Sequence, residues 1–143
     1  MPAIDQLFAS LRAANRKALM PFVTAGDPDL DFTSAALVEL VGRGAHLCEV
    51  GIPYSDPIAD GPVIQASYTR ALERGVHLSD ILGMLAQTTP RLSAPAVTMV
   101  SYAIVYRGGP ERYCDAARAA GVAGLIVPDL PVEESPQLAE ICR

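Results

Sequence analysis

Four short apolar runs recur along the sequence, and each is followed by a segment with helical spacing of its apolar residues. The runs lie at residues 18–25, 46–50, 95–102 and 124–129. Because apolar and polar residues do not alternate within them, the runs are typical of strands buried on both faces, as in a parallel sheet. The pattern therefore predicts four parallel strands joined by helical crossovers.

The segments around these runs are predicted to be helices. Ile4, Leu7, Phe8 and Leu11 form one stripe of a short helix before the first strand. Later helices are expected to begin at capping residues (Asp29 or Asp31) or at prolines in the first helical position, near residues 30, 62, 79, 110 and 133. After the third run, a loop with Arg107, Gly108 and Gly109 is expected to lead to the helix at Pro110. A helix followed by four strand–helix units, with right-handed crossovers, leaves two architectures open: an open doubly wound sheet or a closed (β/α) barrel.

Composition limits the class of protein. The chain has 143 residues, of which half are hydrophobic and 19% are charged, with a formal net charge of −5, and this predicts a single globular domain over residues 1–143. The acidic balance, with no cluster of Lys and Arg, argues against nucleic acid and anionic membranes as partners. Cys48, Cys114 and Cys142 lack the spacing of a metal site or a disulfide framework, so we expect reduced thiols, no metal and a cytoplasmic location.

The candidate chemistry lies at the end of the second run. Glu49 is inside an apolar strand, and the loop that follows carries Asp56 and Asp60. Loops after the carboxyl ends of parallel strands hold the active sites of both candidate architectures, and a glutamate among apolar residues is a candidate general acid or base.

Structural roles remain open for the same acidic residues. Glu49 could form an ion pair with Arg or Lys. Asp60 could cap the helix that begins at Pro62, and Asp129, after the fourth run, could serve as a loop or capping residue. No GxGxxG, Walker loop or HExxH motif is present, which excludes the corresponding nucleotide and zinc sites.

Three blocks of sequence resemble the α subunit of tryptophan synthase. They are MPFVTAGDP at 20–28, EVGIPYSDPIADGP at 49–62 and GLIVPDLPVEES at 124–135. The resemblance covers the whole chain and implies the (β/α)8 TIM-barrel family of α/β folds. A complete barrel takes about 250 residues, so the implied fold here is an N-terminal half barrel of four βα units preceded by a short helix.

The resemblance also implies a function. The family is a lyase of tryptophan biosynthesis that cleaves indole-3-glycerol phosphate to indole and glyceraldehyde 3-phosphate by a retro-aldol reaction. It passes indole to a β subunit, which holds pyridoxal phosphate, in an α2β2 assembly; no cofactor is implied in this chain. By motif, the catalytic pair is Glu49 and Asp60. The residues implied to line the indole pocket are Phe22, Ile64, Val100 and Tyr102, and those implied to face the β subunit are Pro53, Asp56 and Pro57.

The sequence departs from the family in two respects. Ile104 stands where the family usually has an asparagine, which removes a polar contact near the expected β-subunit interface. The family's second half, which holds the phosphate-binding residues and a mobile loop, is absent from these 143 residues. We therefore expect the isolated chain to be inactive. The alternative is a non-catalytic half-barrel module that self-associates or docks on a β subunit.

Overall fold

In the computed structural model of the chain, which describes residues 3–143, four parallel strands form one sheet. The strands are β1 (Phe22–Thr24), β2 (Cys48–Gly51), β3 (Ala96–Met99) and β4 (Gly124–Ile126), and their order in the sheet is their order in the chain. A doubly wound sheet instead reverses its strand order partway across. Sequential order is the arrangement of a (β/α) barrel, so the structure decides between the two architectures that the pattern left open.

Seven α-helices lie within residues 3–143, together with a 3₁₀-helix at Thr89–Arg91. The α-helices are α1 (Ala3–Ala13), α2 (Leu30–Gly42), α3 (Pro62–Glu73), α4 (Leu78–Thr88), α5 (Tyr102–Gly108), α6 (Pro110–Ala119) and α7 (Ser135–Ile141). Asp29 caps α2 by accepting a hydrogen bond from the Phe32 N–H at 2.7 Å. Pro62 and Pro110 begin their helices as expected, because a proline in the first turn loses no helical hydrogen bond.

The first strand is shorter than the sequence predicts. Only Phe22–Thr24 belongs to β1, and Leu19 and Met20 are 60% and 43% exposed. The prediction of a run buried throughout on both faces was wrong, because β1 is an edge strand with one neighbour. The backbone of Leu19 is instead hydrogen-bonded to His46. The His46 N–H donates to the Leu19 carbonyl at 2.9 Å, and His46 Nδ1 accepts from the Leu19 N–H at 3.1 Å.

The expected third and fourth strands also end early. β3 stops at Met99, and residues 102–108 form helix α5 where a loop was predicted. Ser101 caps this helix, since its Oγ accepts a hydrogen bond from the Ala103 N–H at 3.3 Å. β4 ends at Ile126 and not at 129.

The two faces of the sheet are covered differently. On the outer face, Cys48, Val50 and Thr98 are completely buried in the core formed with the helices. On the inner face, Glu49 and Met99 are half-buried, whereas Val97, which is in register with Glu49, is 4% exposed. In parallel strands, residues in register project to the same side, so the row through Glu49 lies on the inner face. This is the face that a closed barrel encloses.

Candidate active site

Glu49 stands in the middle of the inner face. It is in register with Phe22 on β1 and Val97 on β3, so the side chains of these apolar residues flank its own. Its backbone N–H is held by the Pro21 carbonyl at 2.9 Å. Within residues 3–143 its carboxylate makes no hydrogen bond and no ion pair. The alternative that Glu49 is paired with an Arg or Lys is therefore wrong for this part of the chain, and the group is left available for chemistry.

A small cavity opens above the carboxyl ends of the strands. It has a volume of about 30 Å³ and is walled by the loop between β2 and α3, the end of β3 and the loop after β4. Among the residues implied by the family motif, those that line it are Asp56, Pro57, Asp60 and Val100. Burial raises the pKa of the Asp60 carboxyl above its ordinary value, because removal from water disfavours the charged form.

Asp60 does not cap helix α3. The N-cap residue is Gly61, and no side chain caps this end. The Asp60 main chain is fixed instead, because its carbonyl accepts a hydrogen bond from Gln65 Nε2 at 2.8 Å and its N–H donates to the Pro57 carbonyl at 3.1 Å. The carboxylate itself makes no hydrogen bond with the described residues, so it is free to meet a ligand.

Gly51, on the inner face, leaves room for two aromatic side chains. A Cβ placed on Gly51 would lie 2.4 Å from Phe22 Cζ and 2.8 Å from the Tyr68 hydroxyl oxygen. The missing side chain thus lets the Phe22 ring and the Tyr68 hydroxyl approach the same point, two residues beyond Glu49. Tyr68 also lines the cavity with Asp60. Glu49 does not line that cavity. The Glu49 and Asp60 carboxylates therefore do not share a cavity wall, and the residues near both are Phe22, Gly51 and Tyr68.

The remaining motif residues lie nearby but outside the cavity wall. Ile64 in α3 and Tyr102 at the start of α5 are half-buried, and Pro53, two residues after β2, is buried. The roles that the motif implies for these residues, and for Glu49 and Asp60, stay predictions.

Asp129 is a capping residue, which is one of the structural roles that the sequence left open for it. Its Oδ2 accepts a hydrogen bond from Ser101 Oγ at 2.6 Å, and its Oδ1 accepts one from the Tyr102 N–H at 2.8 Å. These contacts join the loop after β4 to the first turn of α5, and they hold one side of the cavity in place.

A second set of hydrogen bonds, which the sequence did not predict, holds helix α3 on the other side of the cavity. The Asp27 carboxylate, in the loop after β1, accepts hydrogen bonds from Arg70 Nε at 3.0 Å, Arg70 Nη2 at 2.5 Å and Ser67 Oγ at 2.6 Å. The Arg70 guanidinium holds the pKa of Asp27 below its ordinary value. Helix α3, which carries Ile64 and Tyr68, is thereby anchored to the loop after β1.

No group of three or more His, Cys, Asp or Glu side chains within residues 3–143 is arranged to hold a metal ion. No helix in the same range has the length and apolar character needed to cross a bilayer. The three cysteines are free thiols, with Cys114 Sγ and Cys142 Sγ 3.7 Å apart.

Four consecutive βα units, with carboxylates at the carboxyl ends of parallel strands, define one half of a (β/α)8-barrel protein. The family model described as "Tryptophan synthase alpha chain" matches residues 8–143. The chain belongs to this family.

Known proteins similar to this chain extend well beyond it. The tryptophan synthase alpha chain of Rhodopirellula baltica is 56% identical, over all of this chain and 52% of the relative. That of Rippkaea orientalis is 50% identical, over 96% of this chain and 52% of the relative. The crystal structure of tryptophan synthase subunit alpha from Legionella pneumophila is 36% identical with a TM-score of 0.94, over 99% of this chain and 55% of that one. The chain thus spans about half the length of the curated relatives it matches.

Proposed function

We propose that these residues form the N-terminal half of a tryptophan synthase alpha chain and supply the two catalytic carboxylates for cleavage of indole-3-glycerol phosphate. The observation that carries the proposal is the Glu49 carboxylate, which lies on the inner face of the sheet between apolar neighbours and has no ion-pair partner in residues 3–143. Such a group can take up and release a proton during a reaction.

The proposed reaction uses the two carboxylates in different ways. Glu49 delivers a proton to the ring carbon that bears the side chain and takes one from the adjacent hydroxyl. The carbon–carbon bond then breaks to give indole and an aldehyde. Protonation of the ring places positive charge on the indole nitrogen, and the Asp60 carboxylate stabilises that charge as it develops. The step needs no cofactor in this chain.

The isolated 143 residues are proposed to be inactive. Phosphate sites in (β/α) barrels are typically built by the loops after strands seven and eight, and these units lie beyond the four described here. We assign pyridoxal phosphate to a partner β subunit, with Pro53, Asp56 and Pro57 facing it in an α2β2 assembly. We also propose a cytoplasmic location, in keeping with three free thiols.

The proposal is tested by completing the barrel. Residues 1–143 are joined to the second half of the Rhodopirellula baltica relative, and we call this chimera the completed barrel. It is expected to release indole from indole-3-glycerol phosphate, whereas the 143 residues alone release none. A completed barrel that folds, shown by circular dichroism and a cooperative thermal transition, but releases no indole would contradict the proposed function.

One observation favours the alternative function, a non-catalytic half-barrel module that self-associates: the edge strands of the sheet are unpaired on one side. Strands β1 and β4 each have a single neighbour in residues 3–143, and such edges expose backbone donors and acceptors that favour pairing with another chain. The isolated chain is therefore expected to self-associate, as size-exclusion chromatography with light scattering would detect. A folded monomer at every concentration would rule out the self-associating module.

A further inference from the structure

Two of the three cysteines lie side by side where helices α6 and α7 pack together. Cys114 is in α6, and Cys142 directly follows the last residue of α7. Their sulfur atoms are 3.7 Å apart, although 28 residues separate them in the chain. Because the sulfur atoms of a disulfide are about 2.05 Å apart, a further approach of about 1.7 Å would allow the two thiols to be joined.

The two thiols differ in their access to solvent. Cys142 is exposed, whereas Cys114 is buried and only 5% exposed. Both side chains line one cavity of about 230 Å³, far more than the roughly 15 Å³ that a single water-sized molecule requires. A small oxidant can therefore reach the pair, and Cys142 is the sulfur that it meets from solvent.

The local charges also distinguish the two thiols. Arg118 lines the same cavity; its Nη2 donates to the Ile141 carbonyl at 3.4 Å, and its Nη1 donates to Asp115 Oδ1 at 2.8 Å. Burial, with further contributions from Cys142 and Asp115, raises the pKa of the Cys114 thiol to about 11, against the opposing effect of Arg118. Cys114 is thus a neutral thiol at neutral pH, and the exposed Cys142 is the group that can react first as a thiolate.

We propose that Cys114 and Cys142 form a reversible disulfide site whose oxidant is a hydroperoxide. With hydrogen peroxide, the Cys142 thiolate attacks one oxygen, the O–O bond breaks, hydroxide leaves with the electron pair, and Cys142 becomes a sulfenic acid. The Cys114 sulfur then attacks the Cys142 sulfur, the S–O bond breaks, and the oxygen leaves as water with the Cys114 proton. Two thiols are oxidised to one disulfide, and one peroxide is reduced to water.

This bond would join two consecutive βα units. It closes the segment 114–142, which contains β4 and Asp129, the residue that caps α5. Both helices belong to units within residues 3–143, so the pair does not depend on the remaining half of the barrel for its geometry. Neither cysteine lines the cavity that holds Asp60, and the site is therefore separate from the proposed lyase chemistry.

The test is peptide mapping of the folded completed barrel after treatment with hydrogen peroxide, with the remaining thiols blocked by iodoacetamide. Trypsin places Cys114 in peptide 113–118 and Cys142 in peptide 119–143. Without reductant, these two peptides are expected to be linked, with equal loss of both free thiols, and dithiothreitol should restore them. Cys48, which is completely buried in β2, is the internal control and should stay a thiol. An unlinked Cys114 after oxidation, or a link to any other cysteine or to a second chain, would overturn the proposal.

Two serine variants of the completed barrel test the order of the steps. In Cys114→Ser the Cys142 sulfenic acid has no partner, so dimedone is expected to label Cys142 severalfold more than in the unsubstituted protein. In Cys142→Ser the buried Cys114 should remain a thiol. Because Cys142 is exposed, its replacement is expected to leave folding intact, and this variant decides the matter if Cys114→Ser does not fold. Oxidation of Cys114 in Cys142→Ser as fast as in the unsubstituted protein would overturn the assigned order.

None of these measurements involves turnover. A completed barrel that folds but releases no indole would overturn the proposed function and leave the disulfide result unaffected.

Discussion

Glutamine in place of Glu49 is expected to lower the rate of indole release by the completed barrel about 10³-fold, within the range that general acid–base catalysis contributes. Glutamine has nearly the shape of glutamate but neither gives nor accepts a proton at neutral pH. Since the carboxylate makes no hydrogen bond or ion pair within residues 3–143, its loss removes no contact seen in this part of the barrel. The effect should therefore appear in kcat, with little change in the thermal transition.

The matched control is Glu39→Gln. Glu39 lies on the outside of α2, where it pairs with Arg43 at 2.6 Å and remains 65% exposed. Exposed pairs of this kind contribute little to stability, so both kcat and the unfolding temperature are expected to stay close to those of the completed barrel. If Glu49→Gln kept activity within a few-fold of this control, the carboxylate would have no part in proton transfer.

The local features of the fold could be predicted because short-range chemistry determines them. Asp29 caps α2 through a carboxylate three residues from its donor, and Pro62 and Pro110 begin helices by lacking an N–H. Glu49 was found as a candidate because a carboxylate within an apolar run is conspicuous in any sequence. Each of these signals lies within a few residues of its structural consequence.

Features that depend on distant partners were not predictable from the pattern. The sequential strand order follows from which strands pair, and both candidate architectures share the same local sequence signals. Helix α5 was missed because the contacts that fix its first turn come from outside the helix, from Ser101 and from Asp129 in the next unit. The extent of β1 depended in the same way on its position at the edge of the sheet.

The site residues also divide into those with a local sequence signal and those that depend on distant contacts. The motif supplied Asp60 and Val100, and both line the cavity. Tyr68 gave no sequence signal, because its place against Gly51 results from the docking of α3, which the Asp27–Arg70 contact fixes across 43 residues of chain. A tyrosine in an amphipathic helix is otherwise indistinguishable from a core residue.

The turn after α6 provides the second large expected effect, this time on stability. Gly121 has a φ of +76°, and a Cβ placed there would lie 2.3 Å from Thr89 Oγ1 and 2.9 Å from Thr89 Cβ. Gly75 has nearly the same φ, +75°, with nothing within 4 Å of its Cβ position. Both glycines avoid backbone strain, which for an alanine at positive φ is worth about 1–2 kcal/mol. Only Gly121 also avoids a steric clash.

Gly75→Ala is therefore expected to lower the free energy of unfolding of the completed barrel by about 1 kcal/mol, and Gly121→Ala by about 3 kcal/mol, because overpacking adds to the same strain. Thr89 cannot yield freely, since its Oγ1 donates to the Ala120 carbonyl at 2.9 Å. Urea unfolding measures both values. A double-mutant cycle with Thr89→Ala separates the two contributions. Because Thr89→Ala removes the Oγ1 contact but keeps the Cβ contact, Gly121→Ala should cost less in the Thr89→Ala background than in the unsubstituted barrel, but still more than Gly75→Ala. Equal losses for the two single variants would mean that Thr89 moves aside without cost, and that the turn before β4 tolerates a side chain.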